Sequence, residues 1–184
     1  MVAGDGTGDR AGCPGRLPTG PASQPASTKI LAFSTLTRLE VVDAGTCRPL
    51  FVRDGRVRKL QWSSDGKLPL ALGQAGLRVY DLRGRVVASG GPAVAATFVG
   101  ASHRVAVLVT SGDVLLGRSI LFHAPELRRL VSSPDGKWLL VTWPAANQWL
   151  FVRVAAPHTI RASSQISRQF GRGTFPEVSG WIGK

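Results

Sequence analysis

Short apolar runs separated by turn signals set the pattern of this chain. Runs such as Val105–Val109 and residues 139–141 are rich in branched side chains, and Asp-Gly pairs occur at residues 54–55, 65–66 and 135–136. Branched runs of this length are typical of β-strands, and Asp-Gly favours a hairpin turn because glycine tolerates a positive φ. No segment carries an apolar stripe of helical period over three turns, and Gly and Pro recur too often for long helices. The pattern therefore predicts an all-β chain of about 14 or 15 short strands with almost no helix.

The predicted strands fall into groups of four. An incomplete first group and three full groups follow one another along the chain, spanning residues 30–33, 38–43 and 49–52; 57–62, 68–72, 77–81 and 86–89; 93–98, 104–110, 113–117 and 119–123; and 127–132, 138–143, 149–154 and 159–162. Four antiparallel strands in each ~35–40 residues are the pattern of a β-propeller blade.

The chain also repeats itself with a period of about 35 residues. Residues 61–67 return as residues 131–137, and a degenerate copy lies between them at residues 99–104. The repeated turn centres on the pairs Asp65-Gly66 and Asp135-Gly136. In such turns the aspartate accepts hydrogen bonds from backbone amides, so the structural role of these four residues outweighs a catalytic one.

Residues 133–141, Ser-Pro-Asp-Gly-Lys followed by an apolar strand, resemble the turn and next strand of TolB-like and WD-repeat-like bacterial β-propellers. Residues 62–67 are similar, with serine in place of proline, and residues 79–81 resemble the third strand of a blade. The strict Trp-Asp dipeptide and its Gly-His partner are absent. The resemblance covers residues 30–162 and implies the fold, whereas propellers host many functions.

The resemblance implies a ring of about six to eight blades, while a chain of this length holds about four. We therefore expect an incomplete or open propeller, in which residues 1–28 form a flexible Gly/Pro-rich arm, residues 29–164 form the blades, and residues 165–184 pack as a tail on the last blade. Three explanations stay open: a piece of a longer propeller, closure by self-association through exposed blade edges, and an open or four-bladed structure in its own right.

The compartment is open on sequence grounds. No apolar stretch of the kind found in signal peptides follows Met1, and no apolar run is long enough for a transmembrane helix. The sequence as written indicates a cytoplasmic protein, and a fragment of a longer exported protein would be extracytoplasmic. Cys13 and Cys47 are the two cysteines of the chain. They are either independent thiols or a disulfide that joins the arm to the first strands, which an oxidising compartment would favour.

Charge is the most unusual part of the composition. The chain has 23 Lys and Arg against 11 Asp and Glu, a formal net charge of +12. The two densest basic stretches form a candidate interaction surface of Arg53, Arg56, Arg58, Lys59, Arg78, Arg83 and Arg85. Because arginines are scattered through every repeat, a solvated basic coat and an acidic partner are favoured over nucleic acid.

Candidate catalytic chemistry is sparse. His103, His123 and His158 fall in different repeats without a metal-binding spacing, and neither a nucleophile elbow nor a phosphate-binding loop is present. We expect no cofactor and no metal. The sequence therefore predicts a non-catalytic propeller scaffold for protein–protein interaction. The alternatives are a partial or degenerate propeller enzyme acting on a sugar or peptide, and an envelope-associated TolB-like accessory or sensor domain.

Overall fold

The computed structural model describes residues 22–23, 29–171, 173–178 and 180–181. Within them, sixteen strands form four sheets of four strands each. The first sheet comprises β1 (Ala22–Ser23), β2 (Ile30–Ser34), β3 (Arg38–Asp43) and β4 (Pro49–Asp54). The second comprises β5 (Val57–Trp62), β6 (Pro69–Gly73), β7 (Gly76–Tyr80) and β8 (Val86–Gly90).

The third and fourth sheets repeat this arrangement. The third comprises β9 (Ala93–Phe98), β10 (Val105–Val109), β11 (Asp113–Leu116) and β12 (Ser119–His123). The fourth comprises β13 (Arg129–Ser132), β14 (Trp138–Trp143), β15 (Gln148–Arg153) and β16 (Ile160–Ser164). A single 3-10 turn (Pro144–Ala146) and the short helix α1 (Ile166–Gln169) complete the elements in the described residues.

Each sheet is an antiparallel meander whose strands lie in chain order. This confirms the predicted all-β fold of four-stranded blades. The first blade differs from its prediction, because β1 pairs with β2 and gives this blade a fourth strand. β1 lies inside the segment predicted as a flexible arm. Two residues are too short to show a strand period, so the sequence pattern could not indicate it. The rest of that segment lies outside the described residues.

The blades stack face to face because alternate residues of each strand point to opposite neighbours. In β10, Ala106 and Leu108 are fully buried against the fourth blade, whereas Val105 and Val107 pack towards the second. Three apolar layers result, one between each pair of successive blades. Burial of these layers supplies the main driving force for folding.

The inner strands define the axis of the arc. Strand β5 contacts β1 and β9, and β9 contacts β13. The outer strands β4, β8, β12 and β16 are largely exposed. Within the described residues, no apolar cluster joins the first blade to the fourth, so the propeller is an open arc.

The loops lie on two sides of the arc, one at each end of its strands. At one end, which we call the turn end, lie the connections between the first and second and between the third and fourth strands of each blade, including residues 63–68 and 133–137. At the other, the hairpin end, lie the connections between the second and third strands and those from blade to blade.

Tail residues lie on the free face of the fourth blade. Phe170 stacks on Trp149 with ring centroids 5.3 Å apart. Trp181 meets Phe151 edge-on at 5.9 Å. Glu177 forms an ion pair of 2.8 Å with Arg129. The described part of the tail therefore covers aromatic side chains on the face of the fourth blade that points away from the third.

None of the helices in the described residues has the length and apolarity needed to span a bilayer.

Candidate functional site

The repeated turns are built by their serine and aspartate side chains. In the second blade, Ser63 Oγ donates to Asp65 Oδ1 at 2.6 Å and accepts from the amide of Leu68 at 3.0 Å. Gly66 follows with φ +70°, which an L side chain adopts at a cost. The Ser63 hydrogen bond is the largest cause holding the pKa of Asp65 far below its usual value.

The turn of the fourth blade reproduces this geometry. Ser133 Oγ donates to Asp135 Oδ1 at 2.7 Å and accepts from the amide of Trp138 at 2.9 Å, and Gly136 has φ +69°. The hydrogen bond from Ser133, followed by the one from the Lys137 amide, lowers the pKa of Asp135. The structure thus uses four predicted residues to form these two turns: Asp65, Gly66, Asp135 and Gly136.

The degenerate turn of the third blade joins the other two. His103 Nε2 lies 3.1 Å from Asp65 Oδ2 of the second blade. On its other side, the amide of Gly100 donates to Ser132 Oγ at 3.0 Å, and Gly100 packs against Gly136 so closely that a Cβ would come within 2.7 Å of its backbone. The three turns therefore form a continuous belt across the second, third and fourth blades.

The remaining histidines lie in separate places. His123 Nδ1 lies 2.8 Å from Asp113 Oδ1, and Ser111 Oγ donates to the other oxygen of the same carboxylate at 2.6 Å. In this cluster the aspartate stands between serine and histidine, whereas a catalytic triad places histidine in the middle. His158 Nδ1 lies 3.2 Å from the carbonyl oxygen of Arg153. In the part of the chain that the structure describes, His, Cys, Asp and Glu form no group of three that could hold a metal.

Three of the seven predicted basic residues meet at one cleft. Arg53, Arg56 and Arg78 line a cavity of about 190 Å³ between the first and second blades. Its apolar lining includes Leu39 and Tyr80. Arg53 Nη2 donates to the carbonyl oxygen of Gly84 at 2.5 Å, and its guanidinium lies 5.6 Å from the Phe51 ring centroid. This arginine therefore ties the two blades together beside the cleft.

The other four basic residues lie elsewhere. Arg58 and Lys59 are on the inner strand β5 and donate to β9, to Ala93 O at 2.9 Å and Ala96 O at 2.8 Å. Arg85 pairs with Asp81 at 2.7 Å in a turn whose aspartate also accepts from the Arg83 amide. The two basic stretches of the sequence thus reach three distinct surfaces.

Lys59 is the most buried of these cations. Burial is the larger cause that lowers the pKa of Lys59, and the nearby positive charge of Arg129 adds to it. Inner strands β5 and β13 therefore present cations to the axis of the arc.

The predicted disulfide involves one residue outside the described range. Cys47 is disulfide-bonded and packs against Phe33 and Val42. Cys13 lies outside the described residues, so the pairing of the two cysteines stays a prediction.

A second cleft escaped the sequence analysis. A cavity of about 390 Å³ between the second and third blades is lined by Ala88 and Gly90 on one side and by Val105, Val107 and Val109 on the other. The signal was the alternation of three valines in β10, which places them on one face. The same alternation is typical of any strand, so the sequence alone does not indicate a cleft above it.

Comparison with known proteins bears on the fold. No protein-family model matches the chain, and no curated protein matches its sequence. Among solved structures, the chain is similar to the β-propeller domain of Cps50 (Swd1) from Myceliophteria thermophila, with a TM-score of 0.67 and 13% sequence identity. The match covers 81% of this chain and 58% of that domain. The chain thus spans less than two thirds of its neighbour's length. At this identity the likeness shows the fold alone, that of a β-propeller.

Proposed function

We propose that the chain is a non-catalytic propeller scaffold that binds an acidic segment of a partner protein in the cleft between its first and second blades. The observation that carries this proposal is the state of Arg56 and Arg78. Both are exposed at the cleft, and within the described residues neither side chain has a hydrogen-bond or ion-pair partner.

Arginine suits this role because its planar guanidinium binds carboxylates in a two-pronged geometry. The lining of the cleft also includes the buried apolar residues Leu39 and Ala71. An extended segment in which acidic residues alternate with apolar ones would satisfy both features. The cation–backbone contact of Arg53 with Gly84 keeps the cleft walls in place before binding, which limits the ordering cost.

The test is the binding of a labelled octapeptide in which glutamate alternates with leucine, followed by fluorescence anisotropy at about 20 mM and about 200 mM salt. We expect Arg56→Gln combined with Arg78→Gln to weaken binding about tenfold or more at low salt. The matched control is Arg118→Gln combined with Arg153→Gln, which removes the same charge from exposed positions elsewhere. Equal losses in both double variants would show a diffuse charge effect and contradict the cleft.

The same variants distinguish binding of nucleic acid from binding of an acidic protein segment. If phosphate contacts dominate, the affinity for a labelled DNA duplex should fall more steeply from low to high salt than the affinity for the acidic peptide. The reason is that each released counterion steepens the salt dependence. Tight DNA binding that both double variants weaken alike would favour nucleic acid as the partner.

The enzyme alternative, action on a sugar or peptide, needs paired acidic groups at a substrate site. Along the inner strands of the described residues, the charged side chains are cations instead, and they bind β9 carbonyls (Arg58, Lys59) or Glu177 (Arg129), so no pair of acids lies there. The enzyme alternative would be supported if the purified chain released product from chromogenic glycosides or peptides and the cleft substitutions left this activity unchanged.

The TolB-like interpretation, an envelope-associated accessory or sensor, rests on the turn motif at residues 133–137. An in-frame hydrophobic leader in the genomic DNA upstream of Met1 would support it. Self-association through exposed blade edges is tested by light scattering across a concentration series, where a mass above 19.5 kDa that grows with concentration supports association.

A further inference from the structure

The outer strand β8 differs from the outer strands β4 and β16. β4 carries Pro49, Arg53 and Asp54, and β16 carries Arg161. Proline and charge are the usual means by which proteins keep an exposed sheet edge from pairing with another chain. The sequence of β8, Val-Val-Ala-Ser-Gly, contains neither, and all five residues are exposed.

β8 has one strand neighbour, β7, in the described part of the chain, so its second edge is free. Val86 and Val87 are 50% and 53% exposed, which adds apolar surface to that edge. A free, uncharged and apolar edge is a template for one more strand.

The groove beside β8 has a shape set by small residues. Ala88 pairs with Val79, and Gly90 pairs with Leu77. Because directly opposed residues share a face, Ala88 and Gly90 point towards the third blade, as Leu77 and Val79 do. Their short side chains leave the cavity of about 390 Å³ above the valines of β10. Aliphatic side chains of an added strand would fill this space.

The direction of an added strand follows from the sheet. β8 runs from the turn end to the hairpin end, and every pairing in the second blade is antiparallel. A further antiparallel strand would run the opposite way, so its C-terminal end would arrive at the turn end.

A positive charge stands at that end of the groove. Arg104 lines the cavity beside His103, and it is exposed with no side-chain partner among the described residues. His103 is engaged with Asp65. A carboxylate at the C-terminal end of the added strand would therefore meet the guanidinium of Arg104.

We propose that the groove between β8 and the third blade is a strand-addition site for an extended segment of a partner protein, with aliphatic residues at alternate positions and a carboxylate at its C-terminal end. Main-chain hydrogen bonds to β8 would supply affinity, and the valine-lined hollow with Arg104 would supply specificity. This surface is separate from the cleft between the first and second blades and does not depend on it.

The probe is an octapeptide in which valine alternates with threonine, prepared with a free C-terminal carboxylate and as the carboxamide. Binding to the full chain is followed by fluorescence anisotropy. We expect the free acid to bind more tightly, and Arg104→Gln to remove that preference. Methylation of one set of alternate peptide nitrogens should abolish binding, and methylation of the other set should not, because an antiparallel strand pairs with only one neighbour here.

A matched pair of variants locates the site. Ala88→Lys places a charge in the hollow and should weaken binding about tenfold or more. Ile160→Lys places the same charge on an exposed residue of the outer strand β16, which does not line the cavity, and should change binding less than about twofold. Circular dichroism and thermal unfolding check that both variants fold.

Three results would overturn the proposal: no binding of either peptide at millimolar concentration, equal loss with Ala88→Lys and Ile160→Lys, or loss of binding in Arg56→Gln combined with Arg78→Gln. The last result would place the peptide in the first cleft. Loss of acidic-peptide binding without any change for the valine peptide leaves this proposal standing and concerns only the proposed function.

Discussion

His103 Nε2, in the third blade, lies 3.1 Å from Oδ2 of Asp65, in the second. The carboxylate that receives this contact also accepts from Ser63 Oγ and from the Lys67 amide. Asp65 therefore serves two purposes, because it closes its own turn and holds the neighbouring blade. Asp135 closes the same kind of turn in the fourth blade.

This pair of turns allows a matched test of the interblade contact. Asp65→Asn should lower the melting temperature by about 2–4 °C at neutral pH, and Asp135→Asn should lower it less. The reason is that Asp135 shares the serine and amide contacts of Asp65, while the structure gives a histidine contact to Asp65. Thermal unfolding followed by circular dichroism measures both. Equal losses would show that the histidine contact adds nothing.

The stabilisation from Asp65 should also depend on pH. Its pKa is lowered in the folded chain, chiefly by the Ser63 hydrogen bond, so its contribution is present above the usual value of 3.8 and is lost as the pH falls below it. The difference between wild type and Asp65→Asn should therefore shrink as urea unfolding is repeated from about pH 6 to about pH 3. A difference that stays constant over this range would contradict the assignment.

Gly100 tests the close approach of the turns. It has φ +54°, and an added Cβ would come within 2.7 Å of Gly136 backbone atoms. Gly117 has φ +63° with no atom within 4 Å of its Cβ position. Gly117→Ala should cost about 1 kcal/mol from backbone strain alone. Gly100→Ala should cost about 2–4 kcal/mol, because the clash adds to the strain. Urea unfolding measures both values, and similar costs would mean that the turns can separate freely.

The lowered pKa of Lys59 predicts that the free energy of unfolding depends on pH in the alkaline range. Burial and the charge of Arg129 lower its pKa from 10.5, so the unfolded chain holds this proton more tightly than the folded chain does. Wild-type stability should therefore gain as the pH rises towards 10.5, and Lys59→Met should lack that gain. We expect the unfolding free energy of the variant, relative to wild type, to fall between about pH 7 and about pH 10. Lys67→Met, which removes a lysine from an exposed turn, is the matched control for the loss of charge.

The cysteines give a covalent test. We expect mass spectrometry of unreduced proteolytic peptides to find Cys13 linked to Cys47 after oxidative folding. Reduction should lower the melting temperature, since the bridge restricts the unfolded chain. Recovery of both residues as alkylated thiols from oxidised protein would reject the bridge.

The blades were predictable because strand period and turn signals are local. Asp65-Gly66 and Asp135-Gly136 are turns in the structure, as their composition indicates. Strand ends were predicted less exactly. β6 begins at Pro69, one residue later than predicted, because the Leu68 amide donates to Ser63 Oγ and so closes the turn.

The clefts could not be predicted, because they depend on which face of one blade meets the next. Arg56 and Arg58 are two positions apart in the sequence, yet Arg56 lines the first cleft and Arg58 reaches β9. A register shift between Val57 and Lys59 redirects the strand at this point. Composition identified the basic stretch, and only the pleat and this bulge decide where each charge goes.

The open arc has a consequence for how the molecule loses its structure. Among the described residues, each of the three apolar layers joins two blades that follow one another in the chain, so the layers are arranged in a line. In a linear array of this kind stability is a sum of blade and nearest-neighbour terms, and an inner blade has two supporting neighbours where a terminal blade has one. Amide protons of the second and third blades should consequently exchange with solvent more slowly than those of the first and fourth, so that loss of structure proceeds inwards from both ends.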